Sequence, residues 1–458
     1  MKHEMGKVKD LQIAYIGGGS MGWAWGLMSD LALEEQLSGS VKLYDIDFEA
    51  AKRNEKIATK LQLREEVVGD WTYEAVETIE EALKGADFVM ISILPGTFEE
   101  MRSDVHVPEK YGILQSVGDT VGPGGVLRAL RTIPMIAEIA QAIKRFAPEA
   151  WVINFTNPMT LCTRTLYEVF PQIKAFGNCH EVFGTQKLLV SALEEIMGIK
   201  EVAREEIKVN VIGINHFTWI DQASYKGIDL LPIYDEFVTR HYKEGYCSDK
   251  TGNWMNDYFS SAHRVKFDLY QRYGIIAAAG DRHLAEFCPG TWYLQDREQV
   301  KSWMFGLTPV QWRIEDRQKR LDKSLALAEE RMEFTLNPTG EEGIRQIKAI
   351  LGLEDLVTNV NLPNQGQIAN LPMGAVVETN ALFRKNSVAP VVAGKIPEQL
   401  LALIGRHVHN QELILQAALK KDYQKAFHAF VQDPLVAIPI DEAKKCFDEM
   451  LDNTKAYL

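Results

Sequence analysis

A short apolar strand runs directly into a glycine-rich turn in the segment Leu11-Gln12-Ile13-Ala14-Tyr15-Ile16-Gly17-Gly18-Gly19-Ser20-Met21-Gly22. A helix is predicted over Trp23–Leu33, so the turn joins a strand to a helix. There the first glycine permits a tight bend, and the next lets the backbone approach a pyrophosphate at the helix N-terminus. The segment therefore predicts a dinucleotide-binding turn. Its predicted contact residues are Gly17, Gly19, Ser20, Met21 and Gly22.

An acidic residue follows the next predicted strand. Val41–Tyr44 ends at Asp45, which is 23 residues beyond Gly22. A carboxylate at this place accepts hydrogen bonds from the adenosine ribose, and it would repel the 2′-phosphate of NADP. We therefore predict NAD as the cofactor.

Strands and helices alternate through the first part of the chain. Strands are predicted at Asp87–Ile93 and Ala150–Phe155, on either side of a periodic helix at Leu127–Phe146. This alternation predicts an α/β fold with a Rossmann-like, doubly wound parallel sheet over residues 1–205. A strand at Lys208–Gly213 opens a second domain, residues 206–458, predicted to be mostly helical α+β. Its predicted helices are Leu325–Phe334, Gly343–Leu351, Ile396–Leu419 and Asp441–Asp452.

Composition excludes several classes of protein. The net charge is −13 and no basic patch stands out, which argues against nucleic-acid binding. No apolar run approaches the roughly 20 residues of a membrane span. The polar segment Met1–Asp10 leads into a strand, which predicts no signal peptide. Five widely spaced cysteines predict reduced thiols and a cytoplasmic location.

Two candidate metal ligands lie where the first predicted domain gives way to the second. Cys179 stands in Asn178-Cys179-His180-Glu181, and His216 stands in Gly213-Ile214-Asn215-His216-Phe217. A thiolate and an imidazole can bind a divalent ion and leave positions open for substrate oxygens. A single cysteine is also common as a small buried hydrophobic residue. Since Cys162 and Cys288 compete with Cys179, the residues alone leave a metal site open.

Three more polar residues lie in segments where ligands often bind. Asp119 lies in the glycine-rich segment Gly118–Gly125, which predicts a movable loop outside the core. Asn154 ends a predicted strand, and its amide can both donate to and accept from sugar hydroxyls. Asp281 lies in the ionisable cluster Ala279–Glu286. An ordinary loop, turn or surface role explains each of them equally well.

Taken in order, these segments resemble those of glycoside hydrolase family 4, an NAD-dependent exception to the two-carboxylate glycosidases. The resemblance covers nearly the whole chain. The blocks that carry it are Gly17–Gly22, Asp45, Lys110–Gly112, Gly118–Gly125, Ala129–Pro134, Asn154–Pro158, Asn178–Glu181, Gly213–Phe217 and Ala369–Pro372.

The resemblance implies an oxidative route to glycoside cleavage. NAD⁺ oxidises the sugar at C3, and Mn²⁺ or another divalent transition metal on Cys179 and His216 holds the sugar oxygens. A base removes the C2 hydrogen, the aglycone is eliminated from C1, and addition of water and reduction complete the cycle. Family members usually assemble as homodimers or homotetramers.

The resemblance also implies roles for the polar residues. Asp281 is the predicted base, with Tyr270 and Tyr273 as alternatives, and Asp119 is the predicted acid. Some branches of the family have aspartate after the metal cysteine. Here that position is His180, which is predicted to contact substrate hydroxyls, as is Asn154.

The segment Cys179-His180-Glu181-Val182 resembles the branch that holds α-galacturonidases and α-glucosidases. Arg282 can pair with a C6 carboxylate, which favours an α-galacturonide or α-glucuronide, although Arg282 can equally pair with Glu286. The alternatives within the family are α-glucosidase and α-galactosidase activity. Outside it, a hydroxy-acid dehydrogenase or an NAD-binding regulator would fit the first domain.

Overall fold

The computed structural model describes residues 1–4, 6–247 and 261–458. The strands are β1 (Lys2–Glu4), β2 (Lys7–Ile16), β3 (Leu37–Tyr44), β4 (Asp70–Val76), β5 (Phe88–Ile91), β6 (Trp151–Asn154), β7 (Lys174–Gly177), β8 (Lys208–Ile214), β9 (Phe217–Tyr225), β10 (Ile228–Asp229), β11 (Ile276–Ala277), β12 (Leu356–Pro363), β13 (Val376–Arg384) and β14 (Ser387–Pro390).

The α-helices over the same residues include many of the predicted ones. They are α1 (Trp23–Ala32), α2 (Phe48–Leu61), α3 (Ile79–Leu83), α4 (Phe98–His106), α5 (Gly122–Phe146), α6 (Met159–Val169), α7 (Glu181–Met197), α8 (Leu231–His241), α9 (Arg264–Tyr273), α10 (Asp281–Phe287), α11 (Gly290–Tyr293), α12 (Arg297–Ser302), α13 (Val310–Ala328), α14 (Gly343–Leu351), α15 (Glu398–Lys420), α16 (Tyr423–Gln432) and α17 (Ile440–Thr454).

A large mixed sheet forms the centre of the molecule. Its strand order is β14-β13-β12-β7-β6-β5-β2-β3-β4. The neighbours from β7 to β4 are all parallel, as expected of buried apolar strands such as β5. The order reverses between β2 and β5, which is the ligand-binding crevice of a doubly wound sheet. The predicted α/β fold class is confirmed.

The C-terminal half completes this sheet. β12 pairs antiparallel with both β7 and β13, and β14 pairs with β13. One apolar cluster joins Leu27 and Met28 of α1 to Ile347 of α14 and Val360 of β12. The predicted second domain therefore contributes three strands to the first sheet, and the predicted boundary at residue 205 stays a prediction.

A smaller antiparallel sheet of β8, β9, β10 and β11 lies beyond the large one. β8 and β9 form a hairpin in which Ile214 pairs with Phe217, so Asn215 and His216 are its turn. The turn lies in the interior, because His216 is only 3% exposed. The hairpin thus brings a histidine into the buried region near the first sheet.

Two segments differ from the sequence-based predictions. The helix predicted at Leu325–Phe334 ends at Ala328. The glycine-rich segment predicted to be a movable loop is largely buried, and Gly122 to Gly125 form the first turn of α5. Small residues pack there because a Cβ on Gly125 would lie 2.5 Å from the carbonyl carbon of Thr120. The prediction that this loop is outside the core was wrong.

Among the described residues, no helix is both long and apolar enough to cross a membrane.

Candidate active site

The predicted dinucleotide turn lies at the carboxyl ends of β2 and β3. The amides of Gly17 and Gly18 both donate to Tyr44 O at 2.9 Å. Gly17 has φ +97°, and a Cβ there would lie 2.0 Å from Ser92 O. The turn is therefore restricted to glycine by both conformation and space.

Asp45 lies against this turn. Its Oδ2 accepts a hydrogen bond from the Gly19 amide at 2.9 Å, and its Oδ1 accepts one from Asp47 N at 3.0 Å. Burial raises its pKa, although these backbone donors oppose the rise. Ser20, Met21 and Gly22 complete the turn before α1, and Gly22 caps the helix without a side-chain bond. The structure thus brings together all six residues predicted to contact the nucleotide.

A group of three side chains, of which His216 is buried and the other two are half-buried, lies beyond the sheet. Ligand atoms of Asp119, His216 and His283 all lie within 4.8 Å of one another. The rings of His216 and His283 are in contact, with centroids 3.8 Å apart and planes tilted by 32°. Three segments that are far apart in sequence supply this group, the loop before α5, the β8–β9 turn and α10. Of the three residues, the sequence predicted Asp119 and His216.

A hydroxyl connects two of these side chains. Thr120 Oγ1 donates to Asp119 Oδ1 at 2.7 Å and lies 3.0 Å from His216 Nδ1. Since the hydroxyl has only one proton, Nδ1–H of His216 donates to Thr120 and leaves Nε2 as the acceptor. Burial, followed by the effect of His283, lowers the pKa of His216 to about 3, so the ring is neutral.

Asp119 remains ionised in this setting. Burial opposes ionisation of Asp119, but Arg128, His283 and His216 together lower its pKa below the usual value. Arg128 is itself buried and donates to Asn157 O at 3.2 Å. An ionised acceptor and two imidazoles are chemically suited to bind a cation or to accept a proton.

Cys179 lies next to this group, after β7 and before α7. It is 8% exposed, and burial raises its pKa well above the usual value. Asn359 Nδ2 donates to Cys179 O at 3.3 Å, and the Asn215 side chain partly offsets the rise in the pKa of the thiol. The competing candidates Cys162 and Cys288 lie in separate apolar clusters. Of these three cysteines, Cys179 is the one whose thiol has a recorded contact with the Asn215 side chain of the His216 turn.

His180 and Glu181 follow Cys179 and point in different directions. His180 is exposed, and its Nδ1 lies 3.0 Å from Glu341 Oε1. Glu181 Oε2 accepts from Gly280 N at 2.8 Å, and its Oε1 lies 3.8 Å from His283 Nε2. Burial opposes ionisation of Glu181, yet His283 and His216 lower its pKa to about 2. Glu181 is thus a second carboxylate beside the buried histidines.

The predicted base lies at a helix N-terminus. Asp281 is fully buried and accepts hydrogen bonds from Lys266 N at 3.0 Å and Val265 N at 3.3 Å, both in the first turn of α9. Burial raises its pKa to about 6. Asp281 is not part of the group formed by Asp119, His216 and His283. The residue of this segment that lies beside His216 is His283. Tyr270 is largely buried between aromatic neighbours, with its ring 4.9 Å from that of Tyr234.

Arg282 supports the segment before Asp119. Its guanidinium donates to Ser116 O at 2.6 Å, to Gly306 O at 3.1 Å and to the Thr308 hydroxyl. Glu286 Oε1 accepts from the amides of Val117 and Gly118 at 2.7 and 2.9 Å. These bonds fix the backbone that carries Asp119 and direct the Arg282 guanidinium to protein acceptors.

Asn154 also turns toward the protein. It is fully buried, donates to Thr156 O at 3.0 Å and accepts from Thr156 N at 3.1 Å. Its amide holds the loop after β6, and its predicted contact with sugar hydroxyls stays a prediction.

Several residues of the site were missed by the sequence analysis. His283 and Glu181 lie in segments that had been singled out, and their ionisable side chains were the available signal. The Thr120 hydroxyl lies in such a segment too, but its role and that of Arg128 gave no signal, because they depend on contacts across the fold.

Comparison with known proteins identifies the family. The model described as family 4 glycosyl hydrolase matches residues 12–195, and the model of its C-terminal domain matches residues 211–436. An α-galacturonidase of Thermoanaerobacterium saccharolyticum is 66% identical over 458 residues, covering 100% of this chain and 98% of that protein.

Solved structures have the same fold. The crystal structure of a putative glucosidase, lplD, from Bacillus subtilis has a TM-score of 0.93 and 53% identity, covering 97% of this chain and 100% of that one. A 6-phospho-β-glucosidase of Thermotoga maritima, solved with manganese, NAD⁺ and glucose-6-phosphate, has a TM-score of 0.76 at 21% identity, covering 98% and 99% of the two chains. At that identity the likeness concerns the fold alone. On the two family models and the chain-long relative, this chain belongs to glycosyl hydrolase family 4.

Proposed function

We propose that this protein hydrolyses α-hexuronides, with an α-galacturonide as substrate, and that it uses NAD and a divalent metal such as Mn²⁺. The observation that carries the proposal is the group of Asp119, His216 and His283, with Cys179 beside it, near a sheet whose crevice bears a dinucleotide turn. The α-galacturonidase that is 66% identical over the whole chain supports the choice of sugar.

The turn at Gly17–Gly22 fits a dinucleotide. A side chain at Gly17 would meet Ser92 O, and one at Gly19 would lie 2.6 Å from the Ala50 Cβ and 2.9 Å from Asp45 Oδ2. The absence of side chains lets a pyrophosphate approach the backbone and the N-terminus of α1. Asp45 retains acceptor capacity for a ribose hydroxyl, which supports NAD.

The donor atoms near His216 fit a transition metal. The Thr120 contact leaves Nε2 of a neutral imidazole as a ligand atom, and the Cys179 thiol adds a soft donor. Burial holds the pKa of Cys179 high, so a nearby cation is needed to keep its thiolate. We propose Cys179 and His216 as the metal-binding pair, with Asp119 and His283 beside them.

When bound, NAD supplies reversible oxidation of a sugar carbon and the metal supplies Lewis-acid polarisation of sugar oxygens. The chain itself positions these groups and handles protons. Asp119 is ionised and accepts a hydrogen bond only from the Thr120 hydroxyl among the bonds recorded for the described residues. Its low pKa makes it a weak base, so it is suited to stay charged beside a cation, and the acid role predicted from sequence stays a prediction.

Asp281, the predicted base, has a pKa of about 6, which suits a group that takes up and releases a proton near neutral pH. We propose that Asp281 keeps its predicted role as the base. We also propose that Arg282 acts as a positioning residue for Asp119, because its donors are directed to Ser116, Gly306 and Thr308. A homodimer or homotetramer and a cytoplasmic location complete the proposal.

The proposal is tested on p-nitrophenyl α-galacturonide, α-glucuronide, α-glucoside and α-galactoside, with NAD⁺, Mn²⁺ and reductant, while absorbance is followed at 340 nm. We expect cleavage of the galacturonide that requires both NAD⁺ and metal and leaves no net NADH. Accumulation of NADH without cleavage would instead indicate a dehydrogenase.

Two cysteine variants sharpen the test. Cys179→Ser should abolish metal-dependent cleavage. Cys446→Ser should retain it, because Cys446 lies in the buried cluster of α17, away from the His216 turn. Equal activity in the two variants would show that Cys179 is not a metal ligand.

A further inference from the structure

We infer that Glu378 is a positioning residue that holds the Cys179 and His216 segments in one arrangement through two asparagines. The inference rests on the proposed function, in which Cys179 and His216 bind the metal. Glu378 lies on β13, almost two hundred residues from Cys179 in sequence, and none of the predicted motifs includes it.

The strand order brings Glu378 to the site. In β13 it pairs with Asn361 of β12, and Asn361 pairs in turn with Gly177 at the end of β7. Two residues after Gly177 comes Cys179. Glu378 is 1% exposed, so its carboxyl group lies in the protein interior behind the Cys179 turn.

Each carboxylate oxygen of Glu378 has its own amide donor. Asn359 Nδ2 donates to Oε1 at 2.6 Å, and Asn215 Nδ2 donates to Oε2 at 3.0 Å. Asn359 Nδ2 also lies 3.3 Å from Cys179 O, while Asn215 directly precedes His216. One buried carboxylate thus connects both proposed metal-binding segments.

The conformation of the hairpin turn explains why it needs support. His216 has φ +62°, in the left-handed region that residues other than glycine rarely adopt. The bond from Asn215 to Glu378 holds the residue next to this strained position. A carboxylate suits the role because it accepts from both amides, whereas a glutamine would present a donor to one of them.

Glu378→Gln tests the inference, since it keeps the side-chain shape. We expect its affinity for Mn²⁺, measured by electron paramagnetic resonance of the free ion in the presence of NAD⁺, to fall 10–100-fold. Its affinity for NAD⁺, measured by fluorescence in the absence of metal, should stay within twofold of wild type. The matched control is Asp268→Asn, another buried carboxylate, which accepts from the Tyr242 and Tyr293 hydroxyls. The control should keep wild-type Mn²⁺ affinity.

Unchanged Mn²⁺ affinity in Glu378→Gln, or an equal loss in Asp268→Asn, would overturn the inference. If Glu378→Gln does not fold, Asn359→Ala must show the same loss of Mn²⁺ affinity with NAD⁺ affinity retained, and wild-type Mn²⁺ affinity in that variant would overturn the inference too. If the wild-type protein binds no Mn²⁺, the proposed metal site is wrong, and this inference is wrong with it. The same conclusion follows if the Cys179→Ser variant binds Mn²⁺ as tightly as the wild type.

Discussion

The Thr120 hydroxyl sets the tautomer of His216, because its only proton is directed to Asp119. Thr120→Val removes the acceptor for Nδ1–H at nearly constant volume, so either ring nitrogen can then carry the proton. We expect Mn²⁺ affinity to fall about 10–100-fold, as for other residues that orient a metal-binding histidine. Electron paramagnetic resonance of the free ion measures this directly.

Thr120→Ser keeps the hydroxyl and is the matched control. It should retain Mn²⁺ affinity within a few fold of wild type. If valine and serine at this position gave the same affinity, the hydroxyl would have no part in orienting His216.

Glu286 makes stability depend on pH. Burial raises its pKa from 4.5 to about 8, and its Oε2 has no hydrogen-bond partner among the described residues. The folded protein therefore binds more protons than the unfolded chain between these two values, and stability falls as pH rises through this window. Glu286→Gln has no such proton to lose.

The free energy of unfolding of Glu286→Gln should therefore rise relative to wild type between pH 5 and pH 9. The change is at most roughly 4 kcal/mol, since a tenfold change in proton affinity is worth about 1.4 kcal/mol. Urea unfolding at the two pH values measures it. If the free energies of unfolding of variant and wild type differ by the same amount at pH 5 and at pH 9, the pKa of Glu286 is not raised by folding.

At this scale, sequence reasoning identified residues with distinctive chemistry. Asp119 and His216 are in the group with His283, and Cys179 is next to it. Sequence reasoning did not identify the hydrogen bonds from Arg282 to Ser116 and Gly306, because these partners are remote in sequence. For the same reason it missed the contact between His283 and His216 of the β8–β9 turn. The direction of a pKa shift also depends on burial and on neighbouring charges, so the opposite shifts of Asp119 and Asp281 could not be predicted.

Among the elements, the β2–α1 turn has no room for a side chain at its first glycine. Gly17→Ala places a Cβ 2.0 Å from Ser92 O at φ +97°. We expect a loss of roughly 1–3 kcal/mol in stability and at least a tenfold loss in NAD⁺ affinity, because the turn must move. Thermal unfolding and fluorescence titration with NAD⁺ measure the two effects.

Gly184→Ala is the control for this substitution. Gly184 lies in α7, where an added Cβ has nothing within 4 Å. This change should stabilise the protein by up to about 1 kcal/mol and leave NAD⁺ affinity unchanged. If Gly17→Ala bound NAD⁺ as tightly as Gly184→Ala, the turn would not be the nucleotide site.

Local sequence predicted many elements because their signals are local. The strand–turn–helix at Leu11–Leu33 and the helix Gly343–Leu351 correspond closely to β2, α1 and α14. The glycines of Gly118–Gly125 have two local explanations, a mobile loop or close packing. Close packing is the correct explanation, because a Cβ on Gly124 or Gly125 would meet the backbone of Asp104 or Thr120.

On the scale of the whole molecule, the first sheet depends on the end of the chain. β12 and β13 extend it beyond β7, and Ile347, Ile350 and Phe383 share an apolar cluster with α1 and β3. A fragment of residues 1–205 would expose this apolar surface. We expect it to bind the dye ANS and to unfold without a sharp transition, unlike the full chain.

Circular dichroism during heating measures the transition. A cooperative fragment that does not bind the dye would show that residues 1–205 fold independently. The sequence could not predict this dependence, because pairing between β7 and β12 joins segments about 180 residues apart with no local signal.

Hydrogen exchange at C2 of the sugar tests the proposed chemistry most directly. An oxidative elimination removes the C2 hydrogen in every turnover, whereas a two-carboxylate hydrolase leaves it in place. Methyl α-galacturonide is cleaved in D₂O with NAD⁺ and Mn²⁺, and the product is analysed by proton NMR. We predict galacturonate that carries deuterium at C2. A product that keeps its C2 proton after complete cleavage would contradict the account.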